Sequence, residues 1–240
     1  MRCTALQAIA PHFYTAATLD LRDDPDEWQS VATFAGVDAD HLRLLHQVHG
    51  RTVVTATGQP WLVPEADAVI TDDSDVALVV RVADCAPILI ADRRLGVVSA
   101  IHAGWRGTML RIAPAAVAAL AGTYGSRVED LLVAIGPSIG ACCAEMGEEV
   151  VEAFRAAGHD APAVQRWFNR ETGKRPHLDL WRANREQLED AGIASRSICM
   201  AGLCTRTHHD VFHSYRAAGQ AAGRMAAVIR RADGRPPAMS

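Results

Sequence analysis

The sequence predicts an α+β protein built on a mixed β-sheet core with flanking helices, and three observations carry that prediction. Short β-branched runs are interspersed with helical stretches, but not in the strict β-α-β-α order of a doubly wound fold. Several runs are apolar at successive positions, which marks strands buried on both faces. Gly and Pro punctuate the junctions between them.

In chain order, the strands are Thr52 to Thr57, Val76 to Val82, Pro87 to Ala91, Gly96 to Ile101, Leu131 to Ile135 and Ser197 to Met200. A short Asp92–Leu95 turn joins the third and fourth of these, so they pair as a hairpin. Thr108 is placed as the N-cap of an alanine-rich helix ending near Gly122, with Pro114 in its first turn or kinking it. Glu148 to Ala157 forms a helix stopped by Gly158. Asp179 caps another whose apolar face carries Trp181, Leu188 and Ala191 and which ends at Gly192. A last helix is predicted over Ala217 to Arg231, followed by a loose Pro/Gly-rich tail from 233 to 240. With no repeat, low-complexity linker or composition break, residues 1–240 are predicted to be one domain.

Bulk composition narrows the function. Of 240 residues, 49% are hydrophobic and 22% charged, which is ordinary for a folded globular chain. The formal charge of −4 gives no basic field of the kind that nucleic-acid binders use, so no nucleic-acid partner is expected. The most apolar stretch, Val76 to Ala91, is broken by Arg81 and Asp84, so no membrane span is expected. No signal peptide is read at the N-terminus. The cysteines are Cys3, Cys85, Cys142, Cys143, Cys199 and Cys204. They form no spaced disulfide framework, which points to a reducing cytoplasm and to metal or catalytic roles for any special cysteine.

Three segments place ligand-type residues at the ends of apolar runs: His46-Gln47-Val48-His49-Gly50, Val82-Ala83-Asp84-Cys85-Ala86-Pro87 and Ile101-His102-Ala103-Gly104-Trp105-Arg106-Gly107. The hairpin brings Cys85 and His102 to neighbouring strand ends. Such a pair is a nucleophilic thiol with its base, a metal site, or an ordinary buried cysteine beside a core histidine. Gly104 through Thr108 sets two glycines around Trp105 and Arg106 where a helix begins, which suits an anion; a tight turn with a structural ion pair is the plainer alternative. Ala134 through Cys143 enters a Gly/Pro turn and reads as a turn. In Cys204 through Arg216, His209 and His213 are four apart, but no carboxylate spacing supports a metal there, and a solvated loop is expected.

Together these segments, with Ile135-Gly136-Pro137-Ser138-Ile139-Gly140 and Ser214-Tyr215-Arg216, resemble the YfiH family, known also as multicopper polyphenol oxidase (laccase) and as peptidoglycan editing factor. The motifs run in order from about His46 to Arg224. The resemblance implies a fold shared with cysteine-hydrolase-like toxin domains and a metal centre formed by His49, Cys85 and His102. It also implies a purine nucleoside enzyme that phosphorolyses adenosine, inosine and methylthioadenosine with phosphate, and deaminates adenosine. Ala141, Ala144 and His213 stand where proline, an aromatic residue and phenylalanine are common in the family, departures that bear on substrate preference.

On this reading zinc is the expected ion, with copper as the alternative because it outcompetes zinc at most such sites. Cys85, Asp84 and Arg106 are the catalytic candidates, Asp84 for proton transfer and Arg106 for phosphate. Gln47, Gly104, Arg106 and Arg216 are the substrate- and phosphate-binding candidates. Two other enzymes are possible: a cytoplasmic amide hydrolase editing peptidoglycan precursors, with Cys85 as nucleophile, and a copper-dependent polyphenol oxidase. The oxidase is the least favoured because no His-x-His pair occurs. A closed structural zinc site would need a fourth ligand, for which His46 is the candidate.

Overall fold

A computed structural model describes residues 1–232; the predicted tail from 233 to 240 lies outside them. Two sheets dominate. The larger runs in the order β11 (Ile198–Met200), β8 (Leu131–Ile135), β6 (Ala86–Asp92), β7 (Val98–Ala103), β4 (Ala68–Thr71) and β3 (Val53–Thr55). The smaller runs β1 (His12–Tyr14), β12 (Met225–Arg230), β5 (Ala77–Val82) and β2 (Leu42–Arg43). A two-stranded ribbon pairs β9 (Phe168–Asn169) with β10 (His177–Leu178). Three pairings in the main sheets are parallel (β11 with β8, β3 with β4, β2 with β5) and the rest antiparallel, so the sheets are mixed as predicted.

The layers follow from which faces are apolar. The inner faces of both sheets share one core of Val69, Leu78, Val80, Leu89, Val98, Ala134 and Ile229. The outer face of the larger sheet packs on helices Ile112–Tyr124 and Leu180–Asp190 through Ile88, Ile90, Ile101, Val117 and Leu188. Helix Pro25–Ala35 covers the outer face of the smaller sheet through Val31 and Ala32. All seven residues of β6 are buried, which is what its run of consecutive apolar residues requires of a central strand. Helices Glu148–Ala156 and Ala161–Trp167 close a satellite core around Phe154 and Trp167.

The predicted hairpin is present. Ala86 pairs with Ala103 and Pro87 with His102, and the buried Asp92 accepts from the backbone N–H groups of Arg94 and Leu95 at 2.7 and 2.9 Å to hold the turn. Gly158 and Gly192 follow their helices with φ of 76° and 98°, the left-handed region in which glycine carries no steric penalty. Asp179 caps its helix by accepting from the Arg182 N–H.

Two helix predictions fail. Residues Ala217 to Arg231 are not a helix: a four-residue helix, Tyr215–Ala218, stops at Gly219, and Met225–Arg230 is strand β12. Its alanines favour a helix locally, but β12 is inserted between β1 and β5 and buried on both faces, so tertiary pairing overrides propensity. Thr108 is not an N-cap. It lies inside the short helix Trp105–Met109, with its hydroxyl accepting from the Asn184 amide at 3.0 Å, and the alanine-rich helix begins instead after Arg111. Strands β1, β2 and β4 lie outside the runs predicted from the sequence.

Candidate metal centre

The three ligand-type residues of the sequence motifs come from separate loops and strands. Cys85 is the residue before β6, and His102 lies near the end of β7. One register step beyond the Ala86–Ala103 pair, Cys85 stands opposite Gly104. A Cβ at Gly104 would lie 2.8 Å from Cys85 Sγ and 3.0 Å from His49 Cδ2, so glycine is required by the close approach of the two donors. His49 arrives from the loop between β2 and β3 with φ of 60°, a strained backbone for a non-glycine residue.

Asp67, just before β4, fixes this loop. Its fully buried carboxylate accepts from His49 N at 3.0 Å, Gly50 N at 2.6 Å and Val48 N at 3.3 Å, and from His102 Nδ1 at 2.7 Å. The last bond turns His102 Nε2 toward the thiol. Sequence reasoning missed Asp67; the signal was an acidic residue leading directly into the apolar run Ala68-Val69-Ile70.

Cys85 Sγ lies 3.9 Å from His49 Nε2, and the donor atoms of His49, Cys85 and His102 all fall within 4.8 Å of one another. A tetrahedral zinc ion, with Zn–S near 2.3 Å and Zn–N near 2.0 Å, requires sulfur and nitrogen about 3.5 Å apart. The Cys85–His49 separation is within a few tenths of an ångström of that value, and the 4.8 Å limit on the set keeps all three donors within reach of one ion. His46 is not part of the cluster, so the four-ligand structural site does not form among the described residues.

Without a metal, the charges still organise the site. Burial alone would raise the Cys85 thiol, but His102 and then His49 outweigh it and bring the thiol down to about 6. Burial would lower His102, but the Cys85 thiolate and Asp67 push it up to about 9. The result is a thiolate–imidazolium pair, the imidazolium buried and the thiolate half-buried at the cavity wall, backed by a carboxylate, which suits both nucleophile and ligand chemistry.

The centre forms one wall of a cavity of about 830 Å³, a volume within the usual range for small-molecule sites. Five arginines line it (Arg22, Arg81, Arg106, Arg216 and Arg224) against Asp23 and Asp84. The Arg106 guanidinium stacks over the Trp105 ring at 4.3 Å. Burial, then the neighbouring Arg224, holds Arg81 below its usual range.

The remaining candidates also line this cavity, but their polar atoms are engaged by protein. Asp84, with φ of 82°, accepts from the Thr205 hydroxyl and the Arg216 backbone N–H, each at 2.6 Å. Gln47 bonds both the N–H and the C=O of Arg81, at 2.7 and 2.8 Å. The Arg216 guanidinium donates to the carbonyls of Cys143 and Glu145 at 3.2 and 3.0 Å. These three hold the cavity wall in place. His213 Nε2 donates to the Leu19 carbonyl at 2.9 Å, and neither it nor His209 belongs to any clustered donor set among the described residues.

Fold and site together define an α+β protein of two packed mixed sheets, with a two-histidine, one-cysteine donor set at the wall of an arginine-rich cavity. The family model described as multi-copper polyphenol oxidoreductase laccase matches residues 19–232. The chain belongs to this family, the YfiH family.

A purine nucleoside phosphorylase of Deinococcus radiodurans is 40% identical over 90% of this chain and 82% of its own length. One of Bacteroides thetaiotaomicron is 42% identical over 68% of this chain, a match that spans 60% of that protein. An adenosine deaminase, RL5, of an unknown prokaryotic organism is 37% identical over 84% of this chain and 79% of its own. The crystal structure of YlmD from Geobacillus stearothermophilus superposes with a TM-score of 0.84 at 27% identity, covering 94% of this chain and 93% of that one. No helix among the described residues is long and apolar enough to cross a membrane.

Proposed function

We propose that the chain is a zinc-dependent purine nucleoside enzyme that phosphorolyses adenosine, inosine and methylthioadenosine and deaminates adenosine. The observation that carries the reading is the three-donor cluster, which has no fourth ligand among the described residues and opens onto a cavity rich in arginine. The names of the relatives supply the substrate class. Zinc bound there would act as a Lewis acid and activate water at neutral pH.

The chain's own groups account for the rest. His49, Cys85 and His102 would hold the ion, and Asp67 keeps the His102 proton on Nδ1, which leaves Nε2 free as a donor. The Arg106 and Arg81 guanidinium groups make no hydrogen bond within the described residues and carry the positive charge that a phosphate needs. In phosphorolysis a phosphate oxygen bonds to C1′ as the glycosidic bond breaks, and the bonding pair and a proton go to the base. In deamination water adds at C6 and ammonia leaves. Asp84, engaged by Thr205 and Arg216, positions the Cys85 loop and does not serve as the proton carrier in this reading.

The test is a single incubation of purified protein with adenosine and phosphate, beside a His49→Ala control. Adenine with ribose 1-phosphate reports phosphorolysis and inosine reports deamination. Absence of both above the control overturns the proposal.

A further inference from the structure

A second group of thiols lies outside the centre described above. Cys142 and Cys143 sit on the turn after Gly140, where the Cys143 and Ala144 N–H groups donate to the Gly140 carbonyl. Cys204 reaches them because Ser138 and Cys204 pair as an isolated parallel bridge between two loops. A Cβ at Gly140 would stand 2.8 Å from the Trp181 ring and 3.3 Å from Cys204 Cβ, so glycine admits the approach.

The three sulfur atoms lie within 4.8 Å of one another, and Cys142 Sγ is 3.5 Å from Cys143 Sγ. Polar groups are turned toward them. The Thr207 hydroxyl is 3.6 Å from both Cys142 and Cys143, and Arg206 Nη1 donates to Cys143 Sγ at 3.7 Å. Cys142 is exposed and borders a separate cavity of about 420 Å³, which gives an ion a way in.

We propose that Cys142, Cys143 and Cys204 form a second metal site, for a thiophilic closed-shell cation, Zn²⁺ or Cu⁺. Three soft ligands suit both ions. At a metal–sulfur distance near 2.3 Å, tetrahedral or trigonal geometry places the sulfurs about 3.8–4.0 Å apart, against 3.5 Å for Cys142 and Cys143 and an upper bound of 4.8 Å for the set. Zinc would keep a fourth, exchangeable position, whereas Cu⁺ would be satisfied by three sulfurs. A structural disulfide fits less well. Adjacent cysteines on a trans peptide have Cα atoms about 3.8 Å apart, shorter than a relaxed bridge prefers, and a bridge from Cys204 to either one leaves the other thiol stranded in the cluster. Arg216 ties this turn to the main cavity through the Cys143 carbonyl, so the two sites share a wall but no donor.

The experiment uses the full chain carrying His49→Ala, which removes a donor from the first centre, kept reduced and free of oxygen. Zn²⁺ is titrated against a chromophoric chelator, and Cu⁺ against bathocuproine disulfonate. The expected result is one retained equivalent of one of the two ions, and the arm that retains it identifies the metal. Cys142→Ser and Cys204→Ser should each weaken it by more than the roughly 10–100-fold expected for Arg206→Gln, which removes only a supporting neighbour. Cys142 is exposed, so its variant keeps the test valid even if Cys204→Ser fails to fold. Retention unchanged in both serine variants overturns the proposal. So does a parent that holds neither ion and merely loses two thiols on mild oxidation.

Discussion

Replacing Asp67 with asparagine separates support of the centre from ligation of the ion. The carboxylate accepts four hydrogen bonds, from His102 Nδ1 and from the backbone of Val48, His49 and Gly50, and no water reaches it. Every neighbour is a donor. An asparagine in the same place has one oxygen and one NH₂, so two of those donors face another donor. Leaving buried donors unpaired costs about 1–3 kcal/mol each, so Asp67→Asn should lose at least about 2 kcal/mol of stability. For a chain of this length that lowers the thermal midpoint by about 4–8 °C. If the NH₂ faces His102, the imidazole must move its proton to Nε2, the nitrogen needed by the metal. Zinc affinity should then fall by about 10–100-fold, or roughly 1.4–2.7 kcal/mol. Chelator competition and thermal unfolding on the same samples measure both. Wild-type zinc affinity in Asp67→Asn would refute the role assigned to the carboxylate, whatever the stability change.

Four further outcomes test neighbouring parts. Gly104→Ala, at an ordinary φ of −73°, should leave the fold intact but drive a methyl group against Cys85 Sγ and His49, weakening zinc by an order of magnitude or more in the same competition assay. In metal-free protein, alkylation of Cys85 by iodoacetamide should rise through pH about 6, well below an ordinary thiol near 8.5. The depressed Cys85 value means its contribution to stability is lost as pH falls through about 6. The raised His102 value means its contribution is complete below about 6.5 and lost as pH rises through about 9, so metal-free stability should peak between about 6 and 9. Arg106→Ala should raise the KM for phosphate about tenfold or more while leaving adenosine deamination near wild type, which steady-state assays of the two products would show.

The hairpin that unites Cys85 with His102 was legible because it is local: two apolar runs, a short turn and a fixed register. His49 entered only through the family resemblance, since nothing in the spacing of residues 46–50 says where the loop lands. The roles of Asp67 and Arg81 were not legible for the same reason; each is an isolated charge at an apolar run, and its partners lie on segments distant in sequence. Strand β12 was misread because its alanines carry a local helix preference, whereas its burial on both faces is set by β1 and β5, each more than a hundred residues away. Gly104 was read as part of an anion-holding turn. In the structure its lack of a side chain is what lets the Cys85 thiol and the imidazole of His49, from the loop before β3, approach each other.

The two non-glycine residues with positive φ nearest the centre, His49 and Asp84, belong to the loops that carry its donors, and in both cases a carboxylate holds the loop. Asp67 binds the backbone of the His49 loop, and Asp84 uses its own side chain to anchor the loop before Cys85 to Thr205 and Arg216. The strain is thus borne by hydrogen bonds internal to the protein and does not depend on a bound ion. The sheets behind the site are dry, with β6 and β7 buried along their whole length. A small zinc module whose core is its metal unfolds when the ion is removed. This chain should behave differently: dialysis against a chelator should abolish activity yet leave far-UV circular dichroism and cooperative unfolding in place. The thermal midpoint should fall only by the binding linkage, RT ln(1 + [Zn]/Kd). Loss of the cooperative transition on metal removal would show that the ion, and not the carboxylates, holds the two loops.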